Sequence, residues 1–296
     1  MADGTDMRHA WDVFGRADQL GTLNLLTPER RHAATRSVRT GATFGLTLPL
    51  DALTTPPFGR VALQHETYAA NDFSWGDSVT ALDTQSSSQW DGLLHVSHNS
   101  LGFYGGRNEE TLAAAPLGVD AWARTGIIGR GILVDVAHHW GTTDALAGRA
   151  LAAEQLHEML HAQGTEVHPG DILCLRFGWM DAYRALPDSR HEQYMARPSC
   201  DGVSAVEGTA EALWNMQVAA LVADNPTVES QPGSRSAGFL HHRLLTMLGM
   251  PLGELFDLDA LAEHCRAHGT WDFLFTSVPW NLTGGVASPA NAVAVV

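Results

Sequence analysis

The sequence predicts a single α/β domain over residues 1–296, built on a mixed β-sheet with flanking helices. First, 45% of the 296 residues are hydrophobic and 17% are charged, a balance typical of a globular protein with a substantial core. Second, no internal repeat or linker-like stretch divides the chain. Third, strand and helix patterns follow one another irregularly, which favours a mixed sheet over a strictly alternating Rossmann fold or barrel.

Capping signals and periodicity predict three helices. Thr27 is a suitable N-cap for a helix with Pro28 at its first position, and Gly41 ends that region. A second helix is predicted over 144–161, because its leucines share one face and a glycine follows it. A third begins after Asp257.

Five apolar runs predict strands, and they cover 43–48, 131–136, 171–177, 218–223 and 271–279.

The charge balance excludes several classes of function. Asp and Glu number 33 against 18 basic residues, so the formal net charge is −15, which opposes binding to nucleic-acid phosphates. All 18 basic residues are arginine. Without lysine, the chain forms no Schiff base with pyridoxal phosphate, no P-loop and no Ser-Lys dyad.

The cysteines and the apolar segments predict a soluble cytoplasmic protein that has no membrane partner. Cys174, Cys200 and Cys265 are widely spaced and odd in number, which is typical of reduced thiols. The first residues lack the apolar stretch of a signal peptide, and no run approaches the ~18–20 apolar residues of a membrane span.

Two segments concentrate chemically useful side chains. In the segment 83–98, Gln89 and Asp91 share a face if the chain is extended, and Asp91 meets His95 if it then turns helically. The segment 239–254 contains a histidine pair and Glu254, residue types that bind Zn²⁺ or Mn²⁺. Each segment also has a structural interpretation: a polar capping turn for the first, and a core histidine with a surface glutamate for the second.

From Trp11 onward, eight blocks carry a resemblance to a known family, and in chain order they are 19–28, 84–91, 103–106, 129–135, 169–173, 223–229, 249–254 and 288–291. With these blocks the chain resembles the cyclase family of metal-dependent hydrolases, which includes bacterial kynurenine formamidase and isatin hydrolase. The resemblance implies a curved sheet of the swivelling β/β/α type, and a homo-oligomer.

The signature of that family is His-x-Gly-Thr-His-x-Asp-x-Pro-x-His. When its aspartate is placed on Asp91, its last histidine, the catalytic acid/base of the family, falls on His95. Its first two histidines, which bind metal in the family, fall on Gln85 and Gln89. This chain therefore resembles a divergent branch of the family.

The resemblance implies a second set of metal ligands at Asp91, His241 and Glu254, with His241 preferred to His242 on spacing. Glutamine offers only a neutral amide oxygen, which Zn²⁺ does not favour. We therefore expect one divalent ion, Mn or Zn, with Gln89 at most an auxiliary ligand. The alternative is that no metal is kept and the two glutamines, Gln85 and Gln89, orient a substrate carbonyl.

The expected function is hydrolysis of a small molecule, a cyclic or acyl amide or a lactone, by an activated water. His95 acts as general acid/base beside Asp91, and Trp90, Phe103 and Tyr104 line a pocket that accepts aromatic groups. One alternative is a metal-independent cyclase or dehydratase that uses His95 and Asp91 as its acid/base pair. Others are a serine nucleophile among residues 86–88 and a binding protein without catalysis.

Overall fold

A nine-stranded mixed sheet forms the centre of the computed structural model, which describes residues 9–114 and 116–296. The sheet is curled and flanked by helices, as predicted. Its strand order is β1-β13-β11-β5-β7-β9-β10-β4-β12. The strands are β1 (Thr43–Gly45), β2 (Gln64–Asn71), β3 (Ser74–Ala81), β4 (Gln89–Asp91), β5 (Ile127–Asp135), β6 (Ala150–Leu151), β7 (Ile172–Arg176), β8 (Gly202–Val203), β9 (Ala220–Ala223), β10 (Leu252–Glu254), β11 (Asp272–Ser277), β12 (Ala287–Pro289) and β13 (Ala292–Val295).

The helices are short and connect or cover these strands. They are α1 (Trp11–Phe14), α2 (Pro28–Ala34), α3 (Glu109–Ala114), α4 (Asp120–Ala123), α5 (Val136–Trp140), α6 (Ala153–Ala162), α7 (Trp179–Arg184), α8 (Asp188–Ala196), α9 (Glu207–Asn215) and α10 (Asp259–His268). A π-helical segment covers His242–Met247. In the described residues, no helix is long and apolar enough to cross a membrane.

The parallel strands β5, β7, β9 and β10 lie in the middle of the sheet and separate two apolar cores. Alternate residues of a strand point to opposite faces. In β7, Leu173 and Leu175 belong to one core, whereas Ile172 and Cys174 belong to the other. Burial on both faces explains why these strands read as continuous apolar runs.

Most of the predicted elements are confirmed, but one helix boundary is wrong. The five predicted strands fall on β1, β5, β7, β9 and β11, and the Thr27 hydroxyl accepts the Arg30 N–H at the start of α2. The helix predicted over 144–161 begins only at Ala153. Gly148 adopts a left-handed φ of 80°, and the next residues form β6, which pairs with β8 instead.

The sequence analysis did not predict the hairpin formed by β2 and β3 (residues 64–81). It forms a separate two-stranded antiparallel sheet, and every residue of β2 is exposed. Its two ends lead to Arg60 and Gln85, where the Arg60 Nη1 donates to the Gln85 carbonyl at 2.9 Å. The hairpin therefore projects from the segment that precedes β4.

Candidate active site

The pairing of β4 with β10 brings together polar residues that are far apart in the chain. Gln89 lies opposite Glu254 and Asp91 lies opposite Leu252 in this antiparallel register. The Gln89 Nε2 donates to the Glu254 Oε2 at 2.7 Å, and both side chains are buried. Because side chains alternate along a strand, Asp91 shares the face of Gln89.

A turn after β4 positions His95. The His95 backbone N–H donates to the Gly92 carbonyl at 2.9 Å, and a Cβ on Gly92 would lie only 2.6 Å from the Val286 carbonyl oxygen. This turn brings the His95 Nε2 to 3.7 Å from the Asp91 Oδ2. The His95 side chain is 23% exposed whereas Asp91 is fully buried, so His95 is the point at which solvent reaches this pair.

His241 approaches the same aspartate from the start of the π-helical segment. Its Nε2 lies 3.7 Å from the Asp91 Oδ2 and 3.3 Å from the Glu254 Oε1. Its Nδ1 lies 2.5 Å from the Glu229 Oε1, and Glu229 also accepts the backbone N–H groups of Leu240 and His241. Glu229 therefore fixes the imidazole and leaves the Nε2 facing the two carboxylates.

The turn that carries Glu229 is conformationally unusual. Val228, which precedes it, adopts a left-handed φ of 53°, a costly conformation for a β-branched residue. The buried Asn225 Nδ2 donates to the Val228 carbonyl at 3.3 Å and holds the turn. The strained turn is thus fixed in the conformation that directs Glu229 toward His241.

The carboxylates of the site are partnered mainly by imidazoles and amides. Gln85 Nε2 donates to the Asp91 Oδ1 at 2.6 Å, and it lies 3.4 Å from the His95 Nδ1. Four buried side-chain oxygens have no hydrogen-bond partner within the described residues: the Asp91 Oδ2 and the Gln89 Oε1, which belong to this site, and the hydroxyls of Ser86 and Thr209. An unpartnered buried oxygen is costly, and an acceptor oxygen without a partner, as in Asp91 and Gln89, can take up a cation or a donor group.

Burial and neighbouring charges shift the pKa values of the site. Burial raises the pKa of Glu254 to about 7, and the Asp91 charge adds to this effect. Burial also acts to raise the pKa of Asp91, but His241 and the charges of His95 and Arg60 outweigh it and the pKa falls. The pKa of His241 rises well above its usual range, because three carboxylates outweigh the effect of burial. The carboxylates therefore favour a proton, or another cation in its place, on the His241 Nε2.

The site geometry fits one divalent cation. Asp91, His95 and His241 each offer a ligand atom, and these three atoms lie within 4.8 Å of one another. Ligands about 2.0–2.2 Å from a tetrahedral ion are separated by roughly 3.4 Å. The spacings of His241 from Asp91 and Glu254, 3.7 Å and 3.3 Å, bracket that value. A carboxylate that accepts the other ring N–H, as Glu229 does, is the usual support of a metal-binding histidine.

Three residues predicted to contact substrate have other partners in the structure. The Trp90 side chain points to the opposite face from Gln89, where its indole donates to Ser277 and packs against Phe256. Tyr104 is fully buried and its hydroxyl donates to Asp18 at 2.8 Å, while Phe103 packs against the same core as Trp90. This placement favours structural roles for Trp90, Phe103 and Tyr104.

Other polar residues of the two segments also have packing or structural partners. The ring of His242 faces His98, with centroids 5.3 Å apart, and not Asp91. Ser87 donates to the Pro49 carbonyl at 3.1 Å, and Ser88 donates to the Leu255 carbonyl. The hydroxyls of Ser87 and Ser88 therefore donate to backbone carbonyl groups and not to His95.

Sequence reasoning missed three residues beside the site. Glu229 lay in a block that resembles the family, but nothing local linked it to His241. Phe239 stacks on His241 with ring centroids 4.8 Å apart and remains 37% exposed, so it offers an aromatic surface at the site. Arg60 contributes the positive charge that lowers the pKa of both Asp91 and His95.

Comparisons with known proteins agree with this architecture. Residues 44–230, more than half of the chain, match a family described as putative cyclase. The match includes the segment from Gln85 to His95 as well as Glu229, and it ends before His241. No curated protein sequence matches the chain.

Solved structures extend the likeness to nearly the whole chain. The structure of a novel cyclase is 28% identical, with a TM-score of 0.86 over 98% of this chain and 100% of that one. Isatin hydrolase A from Labrenzia aggregata, bound to benzyl benzoate, is 15% identical with a TM-score of 0.63, covering 89% and 95%. A predicted metal-dependent hydrolase from Bacillus stearothermophilus is 14% identical with a TM-score of 0.52, covering 86% and 97%. At these lower identities the likeness is one of fold.

Proposed function

Because this chain belongs to the cyclase family, we propose that it is a hydrolase that opens a cyclic or acyl amide, or a lactone, with water as the nucleophile. The observation that carries this proposal is the convergence of Asp91, His95 and His241, whose ligand atoms lie within 4.8 Å of one another. The names of two structural neighbours, an isatin hydrolase and a metal-dependent hydrolase, support the same reaction class.

His95 is the general acid/base of the proposed reaction. Burial lowers the pKa of His95, and together with the charges of His241 and Arg60 it outweighs the Asp91 charge, which acts to raise that pKa. The imidazole is therefore neutral near pH 7 and accepts a proton. His95 removes a proton from the water as the water oxygen bonds to the carbonyl carbon. The carbon–nitrogen or carbon–oxygen bond then breaks, and His95 returns the proton to the departing atom.

One divalent ion, Mn or Zn, fits beside His95. Asp91, His241 and Glu254 would hold it, with the unpartnered Gln89 Oε1 as a weak auxiliary ligand. When bound, such an ion lowers the pKa of a coordinated water and polarises a carbonyl oxygen. Glu229 keeps the His241 Nε2 directed at this position, and Gln85 holds Asp91 through its Oδ1.

One observation favours a second candidate, an acid/base reaction without metal by a cyclase or dehydratase. Gln85 and Gln89 already donate to Asp91 and Glu254, at 2.6 Å and 2.7 Å, and so provide part of the stabilisation that a cation would give. In this candidate His95 and Asp91 act as the acid/base pair. The amides of the two glutamines then orient the substrate carbonyl.

Metal analysis combined with a substrate panel in ¹⁸O-labelled water tests the proposal. The panel contains N-formyl aryl amines, bicyclic aryl lactams and five- and six-membered lactones, assayed with chelator-treated, Mn-loaded and Zn-loaded protein. We expect about one ion per chain and a carboxylate product that carries one ¹⁸O atom, formed only by loaded protein. Equal turnover by the chelator-treated protein would favour the second candidate. A dehydrated or cyclised product without ¹⁸O would overturn hydrolysis.

A further inference from the structure

Arg60 lies beside the candidate site and forms no ion pair in the described part of the chain. Its Nη1 donates to the Gln85 carbonyl at 2.9 Å, and the Gln85 side chain donates to the Asp91 Oδ1 at 2.6 Å. A guanidinium group has five N–H donors. One of the five is used here, so Arg60 keeps four donors for which the described residues provide no acceptor, although the residue is half-buried.

The other arginine near the site histidines is held by backbone groups. Arg243 follows His241 and His242 in the chain, and its Nη1 donates to the carbonyl groups of Ala205 and Ala237. A Cβ on the glycine at position 238 would come within 2.6 Å of the same Nη1, so this guanidinium is also closely packed. Arg243 therefore secures the fold, and Arg60 is the one whose donors remain available to a ligand.

The backbone on both sides of Arg60 holds it in one position. The Arg60 N–H donates to the Pro57 carbonyl at 3.4 Å, and the ring of Pro57 restricts its own φ. Phe58 between them adopts a left-handed φ of 63°, a strained conformation of the kind that persists where the surrounding structure enforces it. The Asp83 N–H donates to the Val61 carbonyl at 3.3 Å, which joins the two ends of the β2–β3 hairpin next to Arg60.

The guanidinium lies within reach of a molecule bound at His95. Gln85 contacts both residues, because its carbonyl accepts from Arg60 and its Nε2 lies 3.4 Å from the His95 Nδ1. The Arg60 charge acts to lower the pKa of Asp91, His95 and Glu254, so it is felt at all three groups. His95 is 23% exposed, and a substrate that enters beside it therefore passes close to Arg60.

We propose that Arg60 is the specificity residue of the candidate site and binds a carboxylate that the substrate carries apart from the bond that is hydrolysed. This role rests on the proposed hydrolase function. The substrate is then an amide or a lactone with a carboxylate that stays intact in the reaction. Arg60 binds this carboxylate through its free N–H groups while its Nη1 keeps the bond to Gln85.

The charges of the site favour a carboxylate over a phosphate. Two N–H groups of a guanidinium match the two oxygens of a carboxylate, and such a bidentate pair is stronger than a hydrogen bond between neutral groups. A phosphate also fits this fork, but it carries a charge of about −1.5 to −2 at neutral pH. Asp91, Glu229 and Glu254 all lie around His241, and they repel a doubly charged group more strongly than a singly charged one.

Matched substrates that differ only in charge test the proposal. The pairs are formamidobenzoates with the carboxylate at ring position 2, 3 or 4 and the corresponding formamidobenzamides, together with five-membered lactones that carry a ring carboxylate or carboxamide. We expect the metal-loaded protein to prefer the carboxylate member, at its best position, by at least about 10-fold in kcat/KM. Arg60→Gln should lower kcat/KM for that member by about 10–100-fold, chiefly through KM, because hydrogen bonds between charged groups are lost.

The carboxamide members and two further variants provide the controls. Arg60→Gln should leave kcat/KM of the carboxamides within about 3-fold, which also shows that the variant is folded. Arg60→Lys keeps the charge but not the fork, so it should restore part of the preference. Arg36→Gln removes one positive charge at an exposed position after α2 and should keep the full preference. Assays at about pH 8 keep His95 neutral with or without the Arg60 charge.

Three kinetic results would overturn this role while leaving hydrolysis intact. The first is equal kcat/KM for the carboxylate and carboxamide members in the unaltered protein. The second is a preference that Arg60→Gln retains. The third is an equal loss of kcat for both members in Arg60→Gln, because Arg60 would then act on the reacting carbonyl and not on a second group of the substrate.

Binding to a protein that lacks the proposed acid/base separates this role from the hydrolase function. Calorimetry with metal-loaded His95→Ala should show the preferred carboxylate binding at least about 10-fold more tightly than its carboxamide. Adding Arg60→Gln to this variant should remove the difference. No such difference in His95→Ala would overturn the role of Arg60. A clear difference in a protein whose unaltered form hydrolyses no member would support carboxylate binding by Arg60 and overturn the hydrolase proposal instead.

Discussion

Two clusters of carboxylates, one around the buried Asp135 and one around the buried Asp91, are partnered in opposite ways. At the carboxyl ends of β5 and β7, Asp135 accepts from Arg176 at 3.0 Å and from Arg266, and Asp259 accepts from Arg176 at 2.6 Å. In the candidate site, Asp91, Glu229 and Glu254 face imidazoles and amides, and the Asp91 Oδ2 has no hydrogen-bond partner in the described residues. The first cluster is neutralised by guanidinium groups, whereas the second keeps the capacity to bind.

This difference favours the candidate site over the arginine-paired cluster as the region that carries the proposed chemistry. A cavity of about 390 Å³ lies beside the arginine-paired cluster and is lined by His138, Arg176 and Arg266. Yet Asp135 is already occupied by two cations, and its Oδ1 also caps α5 through the His138 N–H. We therefore interpret the ion pairs of Asp135 as structural. The Asp91 carboxylate, which has a free oxygen beside the accessible His95, is the better candidate for catalysis.

The largest expected effect is a loss of kcat on substitution of His95 in the candidate site. His95→Ala should lower kcat by about 10²–10⁴-fold, because a general acid/base contributes that much, while the bound metal is retained. Steady-state kinetics on the substrate found in the panel, with metal analysis of the same sample, measures both. His98→Ala is the control, since His98 faces His242 and not Asp91. Loss of the metal in His95→Ala would instead make His95 a ligand.

Disrupting the arginine-paired cluster should affect stability and not catalysis. Asp135→Asn removes the buried charge that Arg176 and Arg266 share, leaving Arg176 only its ion pair with Asp259 and Arg266 no ion pair among the described residues. We therefore expect the free energy of unfolding to fall by about 3–5 kcal/mol. Urea unfolding measures this loss, and kcat per folded molecule should stay unchanged. Arg124→Gln removes an ion pair whose arginine is 56% exposed, and it should cost less than about 1 kcal/mol. A similar loss in both variants would contradict the comparison.

Glu229 is a buried carboxylate whose partner is the His241 imidazole, whereas the partners of Asp135 are guanidinium groups. Glu229→Gln should weaken Zn or Mn binding about 10–100-fold, because a neutral amide oxygen accepts the His241 Nδ1 proton more weakly than a carboxylate does. Isothermal titration with the metal measures the affinity, and kcat should fall with it at fixed metal concentration. Glu211→Gln, on an exposed position of α9, is the matched control. Unchanged metal affinity would mean that Glu229 only secures the backbone of Leu240 and His241.

The smallest expected effect is a displacement of the pH profile. Because burial lowers the pKa of His95, protonation should abolish activity only at a pH below the usual range of an imidazole. Activity should therefore persist as pH falls through 6.5 and be lost below it. Arg60→Gln removes a charge that contributes to this lowering, so the acid limb should move to higher pH. A limb that stays in place would exclude His95 as the titrating group.

The sequence predicted the parts of this molecule whose determinants are local. β5, β7 and β9 were recognised because strands buried on both faces are continuous apolar runs, and the Asp91–His95 pair follows from spacing alone. The position of Glu254 came from resemblance, because its pairing with Gln89 is set by strand register. The role of Glu229 depends on a strained turn at Val228, which no local pattern reveals. The start of α6 was missed because β6 pairs with a strand about fifty residues away.

The position of β4 in the sheet has a consequence for synthesis of the protein. Gln89 and Glu254 are separated by 165 residues, and the other neighbour of β4, β12, is made later still. At ~5–20 residues per second on the ribosome, β4 waits roughly 10–30 s for its first partner. During that interval Trp90 has no partner strands to bury it, so the nascent chain exposes this apolar side chain. Chains released before Leu252 lack part of the site altogether, so premature termination yields inactive protein instead of a partly active enzyme.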